Sequence, residues 1–178
     1  MKFLNQYRIP FTGLKLGKHV FEFEINADFF HEFEYSIVKQ GLLKAAVILD
    51  KQETMMIVDI HITGTIELTC DICLNQFSSP TDIKERLIIK FDEHDKLSDS
   101  TDEIIVLKKN EHELDLTTVI YEYINLSVPY YSRCEEQGLN AHCDETMVNK
   151  LKNLSKEEKA TEQVDPRWDI LKKIKNNN

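Results

Sequence analysis

The sequence predicts an α+β fold: an antiparallel β-meander, or a partly closed barrel-like sheet, covered by one main helix and followed by a flexible C-terminal tail. Three observations predict it. Several stretches alternate apolar and polar residues with the period of a half-buried strand. The gaps between them are too short for helical crossovers, which favours antiparallel neighbours. A single segment carries a clear apolar stripe at helical spacing. The expected division is an α+β domain over residues 1–148 and a linker with a short basic helix over residues 149–178.

In chain order, Phe21, Phe23 and Ile25 alternate with Glu22 and Glu24 and open the strand pattern. Phe29, Phe30 and Phe33 suggest a helical turn after it. Leu43, Ala45, Val47 and Leu49 share one face of the next strand. The longest alternation runs from Met56 through Val58, Ile60, Ile62, Gly64, Ile66 and Leu68 to Cys70, with Asp59, His61, Thr63, Thr65, Glu67 and Thr69 on the other face. Gly64, in its middle, is expected to mark a bulge or bend. Ile83, Glu85, Leu87, Ile89 and Phe91 oppose Asp82, Lys84, Arg86 and Lys90 in the following strand. Asp92, Glu93, Asp95, Asp99, Asp102 and Glu103, offset by Lys96, read as a solvated loop, since no EF-hand spacing is present. Ile104 to Leu107 is a short apolar run. Leu116, Val119, Ile120, Tyr123 and Ile124 then form the helical stripe, with Asp115 placed to cap it and Pro129 to end it. Residues 149–164, rich in Lys, Glu and Asn, read as a linker, and Asp165-Pro166 as the start of a helix with Trp168, Leu171 and Ile174 on one edge.

Charge narrows the function classes. The whole chain of 178 residues has 22 basic and 31 acidic side chains, a net of −9. Residues 1–149 carry 14 bases against 26 acids, a net of −12, while residues 150–178 carry 8 against 5, a net of +3. An acidic body does not coat phosphate backbones, because that binding relies on Lys and Arg displacing counterions. The longest apolar stretch, Ala45 to Leu49, is far short of a membrane span. Asn5 and Gln6 interrupt a signal-peptide core, so a cytoplasmic protein is expected, where cysteines are kept as thiols.

Cys70 and Cys73 form a C-x-x-C between two strands, and Cys134 and Cys143 a looser pair with eight residues between them. One reading is a zinc site completed by all four thiolates, since two ligands two residues apart can reach one ion from a tight turn. Sixty residues separate the pairs, and the second spacing is not a common ribbon spacing. The other reading is structural thiols packed at a hairpin end without metal, and both stay open. His142 is a substitute ligand in the first reading. A thiol–disulfide role is disfavoured: no helix follows the motif, and Asp71 between the thiols opposes thiolate formation. No Gly-rich phosphate loop, nucleophile elbow or His-Glu-x-x-His is present, and the remaining histidines are scattered. That absence points to a binding or assembly protein.

Cys70-Asp71-Ile72-Cys73-Leu74, with Phe77 and Pro80, resembles the C-x-R-C-L…F…P signature of the YceD family of large ribosomal RNA subunit accumulation proteins. The resemblance continues through Leu114-Asp115-Leu116, Tyr121-Glu122, Leu126-Ser127-Val128-Pro129, and Asp165-Pro166-Arg167-Trp168 with Leu171. The region from Tyr7 to Gly17 and Phe29-Phe30 resembles the variant found in Bacteroidetes relatives. Ile72 stands where the family usually has Arg, and Asn140 and Asp144 break its Gly-Leu-Cys-x-x-Cys-Gly run, so a thiolate site inside that run alone is not available. The resemblance implies a non-enzymatic role in accumulation of 23S rRNA and in making the large ribosomal subunit. Direct contact with rRNA then falls to the basic tail or to an assembly partner: the sheet domain is expected to bind a ribosomal or processing protein while the tail docks on RNA or on that partner, with Arg167, Trp168, Leu171, Lys172 and Lys173 as candidate partner-binding residues. Packing of that tail on its own domain is the competing expectation. A zinc-stabilised nucleic-acid-binding module outside the ribosome, and behind it a C-x-x-C oxidoreductase, are the alternative functions.

Overall fold

A computed structural model describes residues 4–91, 104–108, 110–139 and 141–160, with backbone alone for 156–160. Alternating residues of four successive segments pair into an antiparallel run: β2 (Gly17–Ile25), β3 (Gly41–Lys51), β4 (Met55–Thr69) and β5 (Gln76–Phe91). A fifth strand, β6 (Ile104–Leu107), completes the order β2-β3-β4-β5-β6. The sheet is open, with β2 and β6 at its edges, so the barrel-like alternative does not hold. The meander expectation is also corrected at its end, because β6 runs parallel to β5, pairing Ile88 with Ile104 and Phe91 with Leu107. A parallel neighbour needs a connection of roughly a dozen residues or more, and residues 92–103 supply that length. The acidic run read as a loop lies in that stretch, outside the described residues.

The two-residue period decides which face is buried. Met56, Val58, Ile60, Ile62, Ile66 and Leu68 of β4 are buried, and they face the same core as Leu43, Ala45, Val47 and Leu49 of β3. Register is set strongly here, because a slip of one residue would turn every one of these side chains to water. Gly64 does not mark a bulge: the ladder is unbroken on both sides, Gly64 standing opposite Leu43 and Thr81. Its φ of +147° explains the glycine, and a Cβ there would lie 2.2 Å from the Leu42 carbonyl oxygen. Strand β5 starts at Gln76 rather than Ile83 and contains Pro80. Pro80 is accommodated because β6 pairs with residues 88–91, so among the described residues Pro80 has a strand neighbour on one side alone.

A helical layer closes one face of the sheet. The turn expected around Phe29 is α1 (Ala27–His31), capped by Asn26, whose side chain accepts from the Asp28 amide at 3.1 Å. The striped helix is α2 (Thr117–Leu126). Asp115 does serve its start, accepting from the Thr117 amide at 2.9 Å, although it belongs to a short strand, β7 (Glu113–Asp115), that pairs with β1 (Arg8–Pro10). Phe29, Phe30, Ile120 and Ile124 are fully buried. Phe33 stacks on Tyr121 with ring centroids 3.9 Å apart, joining the chain just after α1 to α2. Two further helices follow, α3 (Cys134–Gln137) and α4 (Glu145–Ala160). Helix α4 carries helical backbone into the segment read as a linker, but every residue from Asn149 to Ser155 is exposed. The tail residues Arg167, Trp168, Leu171, Lys172 and Lys173 lie outside the described residues. Among the described residues no helix is long and apolar enough to cross a membrane.

Candidate metal centre

The β4–β5 connection is a tight turn. The Cys70 amide donates to the Asn75 carbonyl and the Leu74 amide to the Cys70 carbonyl, each at 2.9 Å. Leu74 takes a left-handed conformation, φ 63°, to close it. That costs a non-glycine residue about 1–2 kcal/mol. The turn brings the thiols of Cys70 and Cys73 to one side, where the segment after α2 meets them.

Three contacts hold that second segment in place. The Asp71 amide donates to the Ser132 carbonyl at 2.8 Å, and the Ser132 amide returns a bond to the Asp71 carboxylate at 2.7 Å. The Leu139 amide donates to the Ser78 carbonyl at 3.0 Å, adding one rung to the free side of β5. Gly138 permits the approach: a Cβ there would lie 2.5 Å from the Cys134 carbonyl oxygen and 2.7 Å from the Ala141 methyl. Between these ties Cys134 opens α3, and Cys143 precedes α4, whose first turn Asp144 caps by accepting from the Thr146 amide at 2.8 Å.

All four sulfurs thereby converge. Sγ separations are 3.5 Å for Cys73–Cys134, 3.5 Å for Cys134–Cys143 and 3.7 Å for Cys70–Cys143, and all four lie within 4.8 Å of one another. A tetrahedral ion with Zn–S bonds of about 2.3 Å needs sulfurs roughly 3.8 Å apart. A disulfide needs about 2.05 Å, and all four cysteines are free thiols. The donor set therefore fits a soft tetrahedral cation. The distance of the second pair in sequence, which weakened the zinc reading, is bridged by the hairpin and by the Asp71–Ser132 exchange. His142 is exposed and is not one of the four grouped ligands.

The thiols differ in electrostatic environment. Burial raises the Cys70 thiol, but amides of Cys73, Cys134 and Ile72 and the Cys134 thiol outweigh it and bring Cys70 down to about 6. Burial pushes Cys134 up, as do its sulfur neighbours Cys70, Cys143 and Cys73. Cys143 is raised first by burial. Cys70, lowered by its donors, beside Cys134 and Cys143, whose ionisation burial opposes, makes a group that a cation would complete, since a bound metal drives ligand deprotonation. The Asp71 carboxylate accepts from the Ser132 amide, and backbone amides, which the sequence does not display, help outweigh burial at Cys70.

Asp71, Ser132 and Gly138 are the residues that reasoning from the sequence missed. Their positions beside Cys70, Cys73 and Cys134 were visible, but not their pairing.

A family model described as "Large ribosomal RNA subunit accumulation protein YceD" matches residues 58–175, well over half the chain. The chain belongs to the YceD family. The match takes in all four cysteines and α2, and it bears out the resemblance read from Cys70-Asp71-Ile72-Cys73 and Leu126-Ser127-Val128-Pro129. Comparisons with curated proteins and with solved structures give no match. The family description links this YceD chain to large-subunit rRNA accumulation, and four close cysteines give it a group able to hold a metal ion.

Proposed function

We propose that this YceD protein is a cytoplasmic, non-catalytic factor that promotes accumulation of 23S rRNA during large-subunit assembly. A zinc ion on Cys70, Cys73, Cys134 and Cys143 would staple the hairpin end of the sheet to the chain beyond α2. The observation that carries the reading is the family match over residues 58–175, which spans both halves of the thiol cluster. The chemistry supports a scaffold rather than a catalyst, because four thiolates would fill a tetrahedral ion and leave it no open position for substrate. The charge distribution favours contact through protein partners or through the basic tail. The acidic body, at a net −12 over residues 1–149, is repelled by phosphates.

The test is a strain lacking the gene, assayed for the ratio of 23S to 16S rRNA and for mature large subunits by sedimentation. Low 23S rRNA, restored by the wild-type gene and not by a chain with both Cys70 and Cys73 changed to Ser, is expected. A normal ratio in the deletion strain overturns the reading. Complementation by a chain lacking residues 160–178 reports on Arg167, Trp168, Leu171, Lys172 and Lys173, and full rescue by it removes the tail from the mechanism. Metal analysis of the purified protein is expected to give one zinc per chain.

A further inference from the structure

Beside the metal centre, two adjoining depressions of about 520 and 410 Å³ share Gln40 and Glu67 in their walls and together form one groove across an end of the sheet. Three large apolar side chains line it while remaining open to water: Ile37 is 67% exposed, Leu42 74% and Tyr130 92%. Their supports are fixed. The Ile37 amide donates to the Asn125 side chain of α2 at 2.8 Å, and Tyr130 follows Pro129 and stacks edge-on against Tyr131 at 4.8 Å. Exposed apolar groups that are held by the fold and gathered in a groove mark a place where something docks.

Charge identifies the occupant. Among the described residues the groove contains Asp28, Glu67 and Asp71 and one cation, Lys39. The Lys39 ammonium is turned to the Glu34 carbonyl at 2.9 Å, whereas Glu67 and Asp71 are acceptors held by Ser78 and by the Ser132 amide. The chain that builds it is acidic as well, with a net of −12 over residues 1–149. A polyphosphate chain is repelled by such a lining, and a cationic segment is drawn in and oriented. We infer that this groove receives an extended Lys/Arg-rich segment of a protein partner, its aliphatic or aromatic side chains resting on Ile37, Leu42 and Tyr130 and its cations on Asp28, Glu67 and Asp71. The inference rests on the assembly role proposed above and names the chemistry of the partner. It also ties the groove to the metal, since Asp71 lies between two ligands and Ser132 two residues before a third.

The test uses the full-length zinc-loaded protein on an array of 15-residue peptides tiled across the large-subunit ribosomal proteins of its host, with affinities of the binders measured in solution. Basic peptides that also carry aliphatic or aromatic residues are expected to bind, and to weaken as salt is raised. Glu67→Lys is expected to lose about tenfold in affinity and Tyr130→Ala about fivefold, against less than twofold for Glu113→Lys elsewhere on the surface. Tyr130→Ala removes a side chain exposed at 92% and leaves the fold intact, so it remains informative if Glu67→Lys is unstable. No binder on the array, or binders indifferent to both changes, overturns the inference. So do tighter peptide binding after removal of residues 160–178, which makes the chain's own tail the occupant, and groove-dependent self-association. Groove-dependent binding of polyuridylate also overturns it, in favour of RNA. Because 23S rRNA is measured separately in the deletion strain, failure of the groove and failure of the assembly role give different results.

Discussion

If the four thiols hold a metal as proposed, chelating it from the purified protein removes a cross-link between segments that are distant in the chain. An ion on the four thiolates would join Cys73 to Cys134 across 60 intervening residues. Closing a loop of that size in the unfolded chain is worth about 4 kcal/mol by loop-closure entropy. Domains of this kind are stable by about 5–15 kcal/mol in total, so the staple is a large fraction but not the whole. The sheet has its own buried residues from Ile25 to Ile89 and should survive without the ion, whereas the segment from Ser132 to Val148 depends on it. Two measurements check this. Urea unfolding of the chelated protein should show a midpoint lower by about 2 M, taking a slope near 2 kcal/mol per M. Hydrogen exchange should show the amides of Asp71, Gly138 and Leu139 losing protection while those in the middle of β4 keep it, because the former bond across the stapled contact or next to it. Metal-free protein with an unchanged midpoint, within about 0.5 kcal/mol, and unchanged protection at those amides would refute the idea that a metal holds the four thiols.

Three other expectations follow from particular contacts. Asp71→Ala breaks both its side-chain tie to Ser132 and the orientation of the knuckle, and zinc affinity measured by competition with a chromophoric chelator should fall about tenfold or more. Gly64→Ala forces a Cβ to within 2.2 Å of the Leu42 carbonyl oxygen at φ +147°, and should cost about 3 kcal/mol or prevent folding; a melting temperature equal to wild type would contradict the register described for β3 and β4. For Asp115, burial raises the carboxyl, but the Thr117 amide and the Arg8 charge outweigh it and leave it below the ordinary carboxylate range. A depressed folded value means that its stabilisation is present above the ordinary pKa near 3.9 and disappears as pH falls through the folded value. Asp115→Asn should therefore cost about 0.5–1 kcal/mol at pH 7, reduced by solvent screening, and the gap to wild type should close in acid when unfolding is followed against pH.

Period and punctuation carried the fold a long way. The faces of β3, β4 and the C-terminal half of β5, and the stripe of α2, were legible because burial follows side-chain direction, which alternates with period two in a strand and 3.6 in a helix. The family was legible for a related reason: Cys70-x-x-Cys73 and Leu126-Ser127-Val128-Pro129 are local strings. Pairing is not local. The parallel placement of β6 depends on where residue 104 returns after a twelve-residue excursion, and neither Ile88 nor Ile104 records it. A glycine in a long strand points to a bulge or bend, as expected for Gly64; only the close approach of β3 distinguishes a contact requirement from a bulge.

The sequence by itself determined the alternation of the strands, the main helix, the acidic body with its basic end and the presence of four thiols, since each is a property of neighbours along the chain. Tertiary structure alone decided that two cysteine pairs separated by sixty residues share one point in space, and that Ile37, Leu42 and Tyr130 flank one acidic groove. The physical reason is the same in both cases. These juxtapositions are made by hydrogen bonds between remote segments in which a backbone amide is a partner, Asp71 with Ser132 and Leu139 with Ser78 at the thiols and Ile37 with Asn125 at the groove, and a backbone amide is identical whatever side chain it bears.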